Sequence, residues 1–132
     1  MKTRKVLDSY ALLAYLQGEK GCAAVKAALG SPEGGVLMNE INVGEVYYIL
    51  AKARGRDRAE EFLNTILPSL PIEVEANNFD AVIRAARIKA GYPLAFADCF
   101  GVVTAQDNDA AILTGDPEFE AVASLVEIEW IG

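Results

Sequence analysis

The stretch Val6-Leu7-Asp8-Ser9-Tyr10-Ala11-Leu12-Leu13-Ala14-Tyr15-Leu16 sets how the rest of the chain is read. Val6-Leu7 reads as a short buried strand, entered from a basic stub. From Ser9 to about Gln17 the residues Tyr10, Leu13 and Leu16 recur at helical spacing, and Gly18 ends the run. A single carboxylate, Asp8, stands at the junction. A strand that passes into a helix through an acid belongs to an α/β pattern, in which ligands gather beyond the carboxyl ends of the strands.

The alternation continues along the chain. Gly21 to Leu29 is a second short helix closed by Gly30-Ser31-Pro32, and Val36-Leu37-Met38 reads as a strand. Asn42 begins a helix running to about Arg54, with Gly55 as its stop. Asp57 caps another helix to about Leu67, where Pro68 terminates it. Ile72-Glu73-Val74 alternates like a strand, and Asn78 to Ala90 is an amphipathic helix ending at Gly91. After Pro93, Phe96 to Ala105 forms a nearly all-apolar helix. Ala111-Ile112-Leu113 is a buried strand, Pro117 opens a short helix, and Val126 to Ile131 is a closing strand. This order predicts an α/β fold with a mainly parallel central sheet of about four to five strands flanked by helices. With no repeat, low-complexity tract or long linker, residues 1–132 are expected to form a single domain.

Composition narrows the chemistry. The chain is 52% apolar and 23% charged, a globular balance. No stretch reaches the ~18 uninterrupted apolar residues of a membrane span. Asp8 follows the basic start Met1-Lys2-Thr3-Arg4-Lys5 too soon for a signal-peptide apolar region, so a cytoplasmic protein is expected. Cys22 and Cys99 lack metal-type spacing and are expected to stay reduced. There is no histidine, which excludes Ser-His-Asp and Cys-His triads, His-ligated zinc and histidine acid–base pairs. A net charge of −7 argues against a protein that passively coats nucleic acid. The cations fall in groups, Lys52-Arg54-Arg56-Arg58 and Arg84-Arg87-Lys89, whereas Ala90 to the end has no Lys or Arg and eight acids.

Four carboxylates then stand out by their company. Glu45 is the only charge between Ile41 and Ala51, in a helix apolar almost all the way round, and Asp98 is the only charge between Lys89 and Asp107. Asp8 ends the first strand, and Asp116 follows Ala111-Ile112-Leu113 across Thr114-Gly115. Ordinary roles are open for each: a helix-start glutamate favoured by the macrodipole for Glu45, and helix capping for Asp8, Asp98 and Asp116. Two like charges about 4 Å apart repel by roughly 4 kcal/mol at an effective dielectric near 20, so four together would protonate or splay without a cation. A hard divalent ion with oxygen ligands, Mg²⁺ or Mn²⁺, suits such a cluster.

On these residues the sequence resembles the PIN-domain nucleases, and among them the VapC-type toxins of toxin–antitoxin pairs, over essentially its whole length. Residues 6–16 are similar to the family's first acidic motif and Asn42-Val-Gly-Glu-Val-Tyr-Tyr to the second. Phe96-Ala-Asp-Cys-Phe resembles the third and Leu113-Thr-Gly-Asp-Pro-Glu-Phe the fourth. The resemblance implies that Asp8, Glu45, Asp98 and Asp116 are catalytic and bind Mg²⁺ or Mn²⁺. It also implies endonucleolytic cleavage of RNA, a homodimer and a cognate antitoxin that blocks the site. Ser9 and Thr114 are candidates to support the acids through hydroxyl hydrogen bonds. Glu118 is read as a first-turn helix glutamate in preference to an outer ligand. Cys99 departs from the pattern, standing where a small alanine is usual. Two alternatives remain at this point: a catalytically silent binding module of the same fold, and a metal-dependent phosphatase on another α/β fold, which would lack a second aspartate at position 10.

Overall fold

The structure, a computed structural model, describes residues 2–31 and 33–132; Pro32, expected in the turn after the second helix, lies outside the described residues, as does Met1. Five strands form one sheet in the order β3-β2-β1-β4-β5. They are β1 (Lys5–Leu7), β2 (Val36–Asn39), β3 (Ile72–Glu75), β4 (Ala111–Thr114) and β5 (Ile128–Trp130). Every pairing is parallel, and Lys5 lies opposite both Val36 and Ala111. The sheet is therefore wholly rather than mainly parallel. The helices are α1 (Ser9–Gln17), α2 (Cys22–Leu29), α3 (Glu40–Arg54), α4 (Arg56–Glu61), α5 (Leu67–Ser69), α6 (Phe79–Gly91) and α7 (Phe96–Asp107).

Strand alternation divides the core in two. Val6, Leu37 and Ile112 point to the face covered by α6 and α7, where they meet Ala85, Val102, Val103 and Phe119. Leu7, Met38 and Leu113 point the other way and pack with Leu12, Val25, Val46 and Phe62 from α1 to α4 and the turn beyond. Both faces of a parallel sheet must be covered in this manner. Residues 98–105 of α7 are all buried, which accounts for its nearly unbroken apolar sequence.

Several element ends differ from the sequence reading. Helix α3 starts at Glu40 rather than Asn42, because the Asn39 side chain caps it by accepting from the Asn42 N–H at 2.9 Å. Helix α4 starts at Arg56 behind Gly55, leaving Asp57 in its first turn instead of capping it. Pro68 does not stop the following helix. A wider π-helical turn spans Phe62–Ile66, its end marked by the Leu67 N–H reaching the Phe62 carbonyl, and Pro68 falls in the first turn of α5, where its missing N–H is not needed. The closing strand is also shorter than expected, Ile128–Trp130.

Candidate metal centre

Strand order fixes where a site can form. The chain starts at the middle strand, winds outward to β3, then returns to place β4 on the other side of β1. The crevice beyond the carboxyl ends of β1 and β4 is thus the topological switch point, the usual ligand position of open parallel sheets. Asp8 follows β1 and Asp116 follows β4, so both stand at that crevice.

Asp8 is buried, 1% exposed, and both its oxygens are held. Oδ1 accepts from the Ala11 N–H at 2.8 Å, capping α1, while Oδ2 accepts from Thr114 Oγ1 at 2.5 Å. The same Thr114 oxygen accepts from the Asp116 N–H at 3.0 Å. Thr114, wholly buried, therefore ties the two acid-bearing segments together across the switch point. Asp116 in turn caps a 3₁₀ helix, Pro117–Val122, by accepting from the Glu118 N–H at 2.9 Å. Capping and site placement coincide at both aspartates. Gly115 lies between them under the Tyr10 ring, where a Cβ would fall 2.3 Å from Tyr10 Cε1.

Glu45 and Asp98 arrive from the helical layers. Glu45 is one turn beyond the start of α3, whose first-turn acid is Glu40, so it is not the helix-start charge that the sequence allowed. Its Oε1 accepts from Asn42 Nδ2 at 2.8 Å. Asp98 sits in the first turn of α7 but caps nothing; the cap position is Ala95, and no side chain serves there. Asp98 is 7% exposed, and its carboxylate accepts no hydrogen bond among the described residues.

The four acids lie close enough for their charges to act on one another, with Asp8 and Glu45 outside the tightest group. Burial pushes the Asp98 carboxyl up to about 7, and the charges of Glu45, Asp8, Asp116 and Glu118 add to the push. Asp8 is also pushed up to about 7 by burial, with Asp116 and Glu45 adding to it and the bonds from Thr114 and Ala11 opposing it. One carboxylate oxygen each from Asp98, Asp116 and Glu118 lie within 4.8 Å of one another. Glu118 thus combines its first-turn position with a carboxylate in the cluster. Ser9 begins α1, and its hydroxyl bonds none of the acids among the described residues. The missed contributors are Asn42, whose side chain donates to Glu45, and Asn39, which bonds Asn42. As single letters they read only as helix-start residues.

The donor set fits a hard divalent cation. It consists of oxygens alone, and the Cys99 thiol turns away to the Leu94 carbonyl. Asp98, nearly buried, without a hydrogen-bond donor among the described residues and facing other carboxylates, favours a proton or a cation. Outside the cluster, Arg84 is held by Asp107 at 2.6 Å, whereas Lys52, Arg54, Arg56 and Arg58 make no salt bridge among the described residues. No described helix is long and apolar enough to cross a membrane.

A parallel α/β sheet with an acidic cluster at its switch point defines the class, and the sequence matches the PIN domain over residues 5–125. The chain belongs to the PIN domain family, which sets aside the phosphatase fold. Among solved structures it is similar to VapBC2 from Rickettsia felis bound to a promoter DNA fragment, with 13% identity, TM-score 0.77, and 98% and 99% of the two chains covered. It is also similar to VapC20 of Mycobacterium tuberculosis, a sarcin-ricin loop cleaving toxin, with 19% identity, TM-score 0.76, and 94% and 98% covered. DNA-bound VapBC from Salmonella typhimurium gives 18% identity, TM-score 0.75, and 98% of both chains. No curated protein sequence matches the chain.

Proposed function

We propose that the protein is a Mg²⁺- or Mn²⁺-dependent endoribonuclease, the toxin of a VapC-type toxin–antitoxin pair. The observation that carries this reading is Asp98: a nearly buried carboxylate, without a hydrogen-bond donor among the described residues, set among Glu45, Asp8, Asp116 and Glu118. Membership of the PIN domain family supports it, as does the likeness to chains solved as toxins and toxin–antitoxin complexes.

In this reading Asp8, Glu45, Asp98 and Asp116 hold the cation, with Glu118 beside them. A divalent ion bound there supplies charge neutralisation for a phosphodiester and acidity to water. The protein's own part is orientation. Thr114 directs its proton to Asp8 Oδ2 and fixes the Asp116 backbone, while Asn42 holds Glu45.

The partners follow from the same reading: an RNA substrate, a cognate antitoxin and a second copy of the chain, in the cytoplasm. Exposed apolar side chains such as Tyr48 on α3 and Phe79 on α6 supply surface for protein contacts. Hydrolysis of single-stranded RNA with Mg²⁺ or Mn²⁺, comparing wild type with Asp8→Asn and Asp98→Asn, tests the proposal. We expect cleavage by wild type and its loss in both variants. Equal activity in all three contradicts the assignment, and Mn²⁺ uptake without turnover on any RNA favours a silent binding module.

A further inference from the structure

Asn39 and Asn42 are both 0% exposed, and every polar atom of their side chains is occupied in one directed chain. Asn39 Oδ1 accepts from the Asn42 backbone N–H at 2.9 Å, which turns Asn39 Nδ2 toward Asn42 Oδ1 at 2.8 Å. Asn42 must then present its amide nitrogen on the far side. That nitrogen donates to Glu45 Oε1 at 2.8 Å and to the Ala97 carbonyl at 3.2 Å. Ala97 immediately precedes Asp98. A single NH₂ group therefore grips the α3 acid and the backbone that carries the α7 acid.

We infer that Asn39 and Asn42 act as a positioning clamp that sets the spacing of Glu45 and Asp98 for a divalent cation, an inference that rests on the metal-centre reading above. Helix capping alone does not explain the pair, because Ser, Thr or Asp would cap α3 as well as Asn39 does. Among good capping side chains, only a carboxamide accepts the cap bond at one atom and donates onward from a second, as Asn39 does through Oδ1 and Nδ2. At position 42 a reversed amide would set its oxygen against the Glu45 carboxylate and the Ala97 carbonyl, acceptor against acceptor, and Asn39 forbids that orientation. A neutral donor also orients Glu45 without competing with the cation, as Lys or Arg would. Among the described residues no donor reaches Glu45 Oε2.

The test compares wild type with Asn39→Ser, which keeps a cap acceptor and removes the amide nitrogen that donates to Asn42 Oδ1, and with Asn42→Ala. Mn²⁺ affinity is read by calorimetry, and RNA cleavage is followed as a function of Mg²⁺ concentration. We expect Mn²⁺ affinity to fall about 10- to 100-fold in both variants, as for lost outer-sphere partners of metal ligands. The half-saturating Mg²⁺ concentration should rise by the same factor, a shift that mere loss of folded protein, which lowers the rate alike at every Mg²⁺ concentration, does not give. In wild type, added Mg²⁺ should shift the Asn42 side-chain amide resonances and leave those of exposed Asn64 in place, a readout that needs no variant to fold. Unchanged Mn²⁺ affinity in folded variants, or an Asn42 amide that ignores Mg²⁺ in a chain that binds it, overturns the clamp alone. A wild-type chain that takes up no Mn²⁺ overturns the metal centre, and the clamp with it.

Discussion

Asp98 lies in the first turn of α7, 7% exposed, with burial and four neighbouring carboxylates opposing its charge. Asp98→Asn should remove cation uptake and cleavage, yet raise the melting temperature of the metal-free protein at pH 8. The variant replaces a repelled carboxylate with a neutral group of the same shape. A lower melting temperature there would mean that Asp98 is stabilised by a partner other than a cation. Thr114→Val should have the opposite sense. It strips Asp8 Oδ2 and the Asp116 N–H of their shared partner, at about 1–3 kcal/mol, and thermal denaturation without metal should show the loss. The four principal acids were legible because each is a solitary charge in apolar surroundings or closes a strand. Thr114 was legible only as a neighbour. Glu118 was legible only as the lesser of two readings, and Asn42 was not legible, since a first-turn glutamate and a helix-start asparagine read the same whether or not their side chains reach a distant residue.

The elements repeat that division between local and long-range information. Helix α1 ends where Gly18 adopts a left-handed conformation, a signal carried by one letter. Pro68 misleads as a stop because it falls in the first turn of α5, where its missing N–H is not needed, and the helix runs on to Ser69. Gly115 shows how an element boundary serves the site. Gly115→Ala would drive a Cβ into the Tyr10 ring and so disturb the turn between Thr114 and Asp116. We expect a lowered melting temperature and weaker Mn²⁺ binding. Adding Tyr10→Ala should recover part of both, a coupling that a double-mutant cycle measures. Independent, additive effects would show that the ring does not fix the turn.

At the scale of the whole molecule, the acids make stability depend on pH and metal together. Asp8 and Asp98 are raised from an ordinary 3.8 to about 7, so the native state binds more protons than the unfolded chain between those values. The contribution of these groups is full below about pH 4 and is lost as pH rises through about 7. Melting temperature without metal should therefore fall over that interval. Mg²⁺ displaces the protons, so its stabilisation should be larger at pH 8 than at pH 5. A shift independent of pH would contradict the shared site. The strand–acid–helix order was legible, but the sheet order that brings β1 beside β4 depends on pairing between residues about a hundred positions apart, which no local pattern encodes.

The most direct measurement is an anomalous difference map from a crystal soaked in Mn²⁺. We expect a peak beyond the carboxyl ends of β1 and β4, bonded to oxygens of Asp98 and Asp116 and within reach of Asp8 and Glu45. A saturated crystal with no peak there, or with Mn²⁺ held only by other surface acids, would contradict the metal centre on which the nuclease reading stands.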